Sequence, residues 1–143
     1  MAGKSGGTAA TGAEAGGTGT KDVAAATNDE GMRLYKEKKY SEAAEKFKQA
    51  AQMKPESALF ANNSGFAMFK LGQYGDAVEW FQKTIALDPH RAIAYLNLGD
   101  AYLQMGKKSE AKKAYEKYLE LQPNSKAAPG VQEKLKSLEP AIN

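Results

Sequence analysis

The sequence predicts an all-α fold: an α-solenoid of three helix-turn-helix repeats, with a C-terminal capping helix and a Gly/Ala/Thr-rich N-terminal tail. Two observations predict the repeats. Gly31, Gly65 and Gly99 recur 34 residues apart, as do Ala43, Ala77 and Ala111, and Pro55, Pro89 and Pro123, while Phe47, Phe81 and Tyr115 keep the same step. Between these landmarks the apolar residues return at helical rather than strand spacing. Units with a period in this range cannot bury their apolar faces alone and must stack on one another.

Residues 1–23 are mostly Gly, Ala, Thr and Ser, with few charges and no large apolar side chain between Met1 and Val23, too little to offset the entropy of ordering, and are read as a flexible tail or linker. Gly3-Lys4-Ser5 lacks the upstream glycine and the strand of a phosphate-binding loop. The repeats are placed at 24–57, 58–91 and 92–125, with helices at 24–37 and 41–53, 58–71 and 75–87, 92–105 and 109–121. Lys38-Lys39, Gly72-Gln73 and Gly106-Lys107 break each unit, and Gly72 and Gly106 suit the left-handed residue that ends a helix. Ser41, Asp76 and Ser109 are expected to cap the second helices. Pro55, Pro89 and Pro123 close the units by forcing the preceding residue out of helical geometry. Gly65 and Gly99 fall mid-helix, where glycine costs about 1 kcal/mol against alanine. Close helix approach is the expected reason, with Ala77 and Ala111 as the facing small residues. In 126–143, Pro129 suits a first helical turn and Val131, Leu135 and Leu138 follow at helical spacing, which predicts a capping helix over about 129–138.

The bulk composition bounds the function. The chain has 143 residues, 42% hydrophobic and 26% charged, with interspersed charges and a net charge of +3, so one soluble domain is expected rather than a nucleic-acid binder with a one-sided basic patch. There is no cysteine, hence no disulfide, thiol nucleophile or cysteine metal site. No stretch has the roughly 18 apolar residues of a membrane span, and no apolar run follows Lys4 as in a secretory signal. The compartment stays open: cytoplasmic, or periplasmic for a fragment of an exported protein. The single histidine, His90, sits in a turn without a second ligand, and no nucleophile has an activating partner, so neither an enzyme nor a cofactor is expected.

The 34-residue landmarks resemble the tetratricopeptide repeat (TPR) family. The third unit carries the pattern best, with Tyr95, Leu98-Gly99, Tyr102, Ala111, Tyr115 and Pro123. The second has Gly65, Ala77, Phe81 and Pro89, but Ala61 and Ser64 replace larger residues. The first has Gly31, Leu34, Ala43, Phe47 and Pro55, with Thr27 and Glu30 departing from the pattern. The resemblance covers about residues 24–125. It implies a right-handed solenoid in which the first helix of each unit lines a concave face, and it implies a scaffold or adaptor that binds protein partners. Some members grip a peptide's C-terminal carboxylate with Lys, Asn and Arg on these helices. Here the corresponding positions hold Asn28, Met32, Ile93 and Asn97, and Asn63 alone fits, which argues against a carboxylate-clamp partner.

On the groove side of the first helices the register places Met32 and Tyr35, then Leu59, Asn62, Phe66 and Phe69, then Ile93, Leu96, Asp100 and Leu103. A solvated groove has no need of so many large apolar side chains, and such a patch signals a partner. Asn63 and Asn97, equivalent residues one repeat apart, are candidates to hydrogen-bond the backbone of an extended peptide. The expected function is a protein-protein interaction module for an apolar or amphipathic peptide or helix. The alternative is homodimerisation through the same surface or through Trp80, although Trp80 is also suited to an inter-repeat edge.

Overall fold

The computed structural model describes residues 22–140. The tail, including Gly3-Lys4-Ser5, lies outside them except for its last two residues. Seven helices follow in order among the described residues: α1 (Val23–Lys36), α2 (Tyr40–Met53), α3 (Ala58–Lys70), α4 (Tyr74–Leu87), α5 (Ala92–Gln104), α6 (Lys108–Leu121) and α7 (Ala128–Leu138). Each begins and ends within one residue of its expected position. Each packs on its chain neighbours, as short connections require, and the helices form an all-α repeat solenoid.

The tail boundary moves by two residues, for a local reason. Asp22 is the N-cap of α1, accepting a hydrogen bond from the Ala25 amide at 3.1 Å, so Val23 is already helical. The same carboxylate takes the Lys54 ammonium from the end of α2. That hydrogen bond is the main reason its pKa is lowered, with the Ala25 amide contributing.

Caps fall elsewhere than on Ser41, Asp76 and Ser109. The second helices begin one residue earlier than expected, which puts those three inside the first turn; the N-caps are Lys39, Gln73 and Lys107, with no side-chain cap bond. Side-chain caps sit on first helices instead: Asp22 on α1, and on α3 Ser57, whose Oγ accepts from the Phe60 amide at 3.2 Å. The second helices are positioned by how the first ones end. Lys38, Gly72 and Gly106 have φ of 65°, 77° and 75°. Around each, the next amide returns to a carbonyl five residues back (Lys39 to Leu34, Gln73 to Met68, Lys107 to Tyr102), and its own amide returns three residues back. This is the Schellman closure, which satisfies the last carbonyls and sets the angle of the following helix. At the other end, Lys54, Asp88 and Gln122 have φ of −130°, −146° and −137°, the extended geometry forced on the residue before a proline.

The mid-helix glycines face a different partner from the expected alanines. A Cβ built on Gly31, Gly65 or Gly99 would lie 2.6 Å, 2.6 Å and 2.5 Å from a ring carbon of Phe47, Phe81 and Tyr115 respectively. Each second helix thus lays an aromatic ring flat on the backbone of its first helix. The rings are 1%, 0% and 0% exposed and, with Ala43, Ala77 and Ala111, form the invariant centre of each unit.

The helix α7 packs on α6 and buries Val131 with Tyr115 and Tyr118, while Leu135 and Leu138 pack against the same cluster. Pro129 lies in its first turn. The Lys134 ammonium is 2.8 Å from Asp100 Oδ1, which also accepts a 2.6 Å hydrogen bond from the Tyr115 hydroxyl. Burial, reinforced by Asp100, pushes the Tyr115 phenol well up.

Three outcomes follow for stability. Gly65→Ala is destabilising although alanine gains about 1 kcal/mol of helix propensity, because overpacking against Phe81 costs about 1–3 kcal/mol. Combining it with Phe81→Leu gives a non-additive, less-than-summed loss in denaturant titrations; strict additivity would mean that the two residues do not share the contact. Lys38→Gly raises the denaturation midpoint, since a non-glycine residue in the left-handed region costs roughly 1–2 kcal/mol and glycine returns only part of that as chain entropy. Asp22→Ala lowers stability by about 1 kcal/mol at neutral pH. A carboxyl whose folded pKa is lowered stabilises above its unfolded pKa and loses that contribution as pH falls through the folded value, so the gap between wild type and variant narrows on acidification.

Candidate functional site

The first helices α1, α3 and α5 meet one another through side chains that span consecutive repeats. Asn63 donates to Asn28 Oδ1 at 2.9 Å, and Asn97 donates to Asn62 Oδ1 at 3.4 Å. These are two rungs of one pattern: donor and acceptor are each displaced by one repeat, so carboxamide meets carboxamide at both junctions. Asn28, Asn62 and Asn97 are buried and Asn63 is half-buried. Their first task is therefore to join repeats, a role the sequence reading did not give them, although the step from Asn28 to Asn62 was there to be seen.

Toward the intra-repeat turns lies a row of rings. Tyr40 meets Tyr35 edge-on at 5.2 Å, Tyr35 stacks on Phe66 at 5.5 Å, Phe66 on Phe69 at 6.5 Å, and Phe69 meets Tyr74 edge-on at 5.2 Å. Such spacings are the favourable geometries of aromatic pairs. The row crosses from the first unit to the second without a gap. All five rings are half-buried, and Tyr35, Phe66 and Phe69 pack against the main core cluster. Burial, with Tyr40 adding to it, raises the pKa of the Tyr35 phenol. Tyr40 and Tyr74 were missed as site residues because they start second helices, yet they too are one repeat apart.

Away from the turns, Leu59 and Ile93 stand 45% and 44% exposed near the starts of α3 and α5, and Met32 on α1 is 38% exposed. Leu96 and Leu103 are half-buried against the cluster shared by α5, α6 and α7. Asp100 is held by Tyr115 and Lys134. Exposed apolar side chains thus stand on all three first helices, while the stacked rings are confined to the first two units. Trp80 packs at the inter-repeat edge against Ala50, Ala51 and Phe60, with the Lys83 ammonium 5.2 Å from its ring. His90 is exposed. Among the described residues no three His, Cys, Asp or Glu side chains are grouped as a metal would need. None of the described helices is long and apolar enough to cross a membrane.

Comparison with known proteins places this geometry. A family model described as tetratricopeptide repeat matches residues 56–124. No curated protein sequence matches significantly. Among solved structures, the second TPR domain of human RPAP3, in complex with the HSP70 peptide SGPTIEEVD, is 31% identical, with a TM-score of 0.74 over 79% of this chain and 94% of that one. The Sgt2 TPR domain from Aspergillus fumigatus is 27% identical, with a TM-score of 0.76 over 85% and 87%. The type III secretion translocator chaperone SycD of Yersinia enterocolitica, at 19% identity, shares the fold, with a TM-score of 0.78 over 82% and 83%. With its repeat landmarks, its helical stack and these likenesses, the chain belongs to the tetratricopeptide repeat family.

Proposed function

We propose that the chain is a protein-interaction module that captures an apolar or amphipathic peptide or helix on the concave face of α1, α3 and α5. The observation that carries this reading is the aromatic row from Tyr40 to Tyr74, which spans two repeats and is only half-buried along its whole length. Packing within a repeat does not require rings at both Phe66 and Phe69. Met32, Leu59 and Ile93 extend the apolar surface on the same helices. Asn63 and Asn97 keep further hydrogen-bonding capacity beyond their inter-repeat bonds, and Asn63 has the access to offer it to a bound backbone.

The human RPAP3 domain binds a peptide with three acidic residues near its end. This chain's first-helix face has a different character. Asn28, Met32, Ile93 and Asn97 stand where a carboxylate clamp carries its cations and amides, and the Lys134 charge is already taken by Asp100. The ligand that fits is held by burial of apolar side chains. Each buried Leu or Phe contributes about 1.5–3 kcal/mol, so three or four anchors, less the cost of ordering, give affinity near micromolar with little salt dependence.

In pull-downs, Phe66→Glu combined with Phe69→Glu loses the proteins that the wild type retains, while circular dichroism shows unchanged helix content. Retention of the same proteins by the double variant removes this face from consideration. The exposed Leu59 and Ile93 also favour a second reading, self-association through the same face. Sedimentation at two concentrations separates the two: a partner-binding face leaves a monomer at both.

A further inference from the structure

A cavity lies beside the aromatic row. It sits between α1 and α3, has a volume of about 110 Å³ and is lined by Met32, Tyr35, Phe47, Asn63 and Phe66. Its floor is the Phe47 ring, buried beneath the glycine backbone at Gly31. Drug-sized ligands occupy about 300–1,000 Å³, whereas an apolar cavity of about 150 Å³ admits a single benzene. This one has room for one side chain. Its lining is carbon apart from the Asn63 amide, so the side chain it takes is aliphatic.

Among the described residues this set of side chains is not repeated at the next junction. In the next pair of repeats, the positions of Met32 and Tyr35 hold Phe66 and Phe69, and that of Phe66 holds Asp100, which is neutralised by Lys134. A socket that a repetitive surface does not repeat at its next junction fixes the register of whatever lies along it. Its rim also carries a charge. The Lys70 ammonium lies 5.7 Å from the centre of the Phe66 ring and makes no ion pair among the described residues.

We propose that this cavity is the specificity socket of the module: it takes one Leu, Ile or Met side chain from a partner segment that carries an Asp or Glu within a few residues of that anchor, facing Lys70. The inference rests on the concave-face reading above, and the following experiment keeps the two apart. A phage-displayed library of random peptides is panned on the full chain and on three variants: Met32→Trp, which fills the socket; Lys70→Glu, which reverses the rim charge; and the Phe66→Glu, Phe69→Glu double variant. Met32 and Lys70 are exposed, so the first two variants fold.

Wild type is expected to enrich peptides with a fixed Leu, Ile or Met and a nearby acid. Met32→Trp binds those peptides about 10–100-fold more weakly. Lys70→Glu exchanges the enriched acid for Lys or Arg. If wild type enriches peptides without a fixed aliphatic residue, and Met32→Trp retains them while the double variant does not, the socket is overturned and the face survives. If the anchor is fixed but Lys70→Glu leaves the neighbouring charge unchanged, the acidic half of the proposal is overturned. If the double variant enriches the same peptides as wild type, or wild type enriches none, both readings fall.

Discussion

The contact on which the stack depends is an aromatic ring pressed onto a glycine backbone, made three times. Phe47 on Gly31, Phe81 on Gly65 and Tyr115 on Gly99 bring the two helices of each unit closer than any side chain on the first helix allows. Glycine in mid-helix is locally unfavourable, so the loss is offset by burying a full ring against a neighbouring helix. Repeating that contact at one interval forces the units into the same internal geometry, and identical units stacked in series make a solenoid. In the third unit the ring is a tyrosine because its hydroxyl has a partner: Asp100 accepts it, and Lys134 of α7 balances the charge. A phenylalanine there would leave the Asp100–Lys134 pair without its third member.

Between units, different forces operate. The Asn28–Asn63 and Asn62–Asn97 bonds place carboxamides in pairs at both junctions. Buried amides are costly when unpaired, so each junction tolerates few alternative registers. The apolar part of the junction follows the aromatic row, where Tyr35 of one unit stacks on Phe66 of the next. The rings serve two ends: they fasten repeat to repeat, and they keep part of their area as surface. This dual use explains why residues expected as a binding stripe are half-buried rather than fully exposed.

The three units are not equivalent on the face that matters. The third packs Leu96 and Leu103 against the cluster it shares with α7 and pairs Asp100 with Lys134, whereas the first two carry the stacked rings. An end unit needs such a cover because no further repeat buries its apolar side. The cavity lined by Met32, Tyr35 and Phe66 accordingly lies toward the N-terminal half of the described residues.

The sequence by itself determined the helices, their boundaries to within a residue and the period of the stack, because these are local or periodic properties: proline geometry at Lys54, Asp88 and Gln122, left-handed glycines at 72 and 106, and apolar spacing along each helix. It also assigned the candidate side chains to the helices α1, α3 and α5 on which they lie. Tertiary structure decided which atoms meet. The spacing of Gly65 announced a close approach, but only the helix crossing shows that Phe81 fills it rather than Ala77. The repeat register aligned Asn63 with Asn97, yet their hydrogen bonds run to Asn28 and Asn62, because neighbouring helices are offset by a geometry that no one-dimensional pattern contains. Leu96 and Phe66 read alike as apolar residues on a groove-facing stripe; one packs against the C-terminal cluster, and the other packs against the main core while also lining the cavity beside Tyr35. Burial is a property of the whole packed chain, and a helix face acquires its role from what the rest of the fold brings against it.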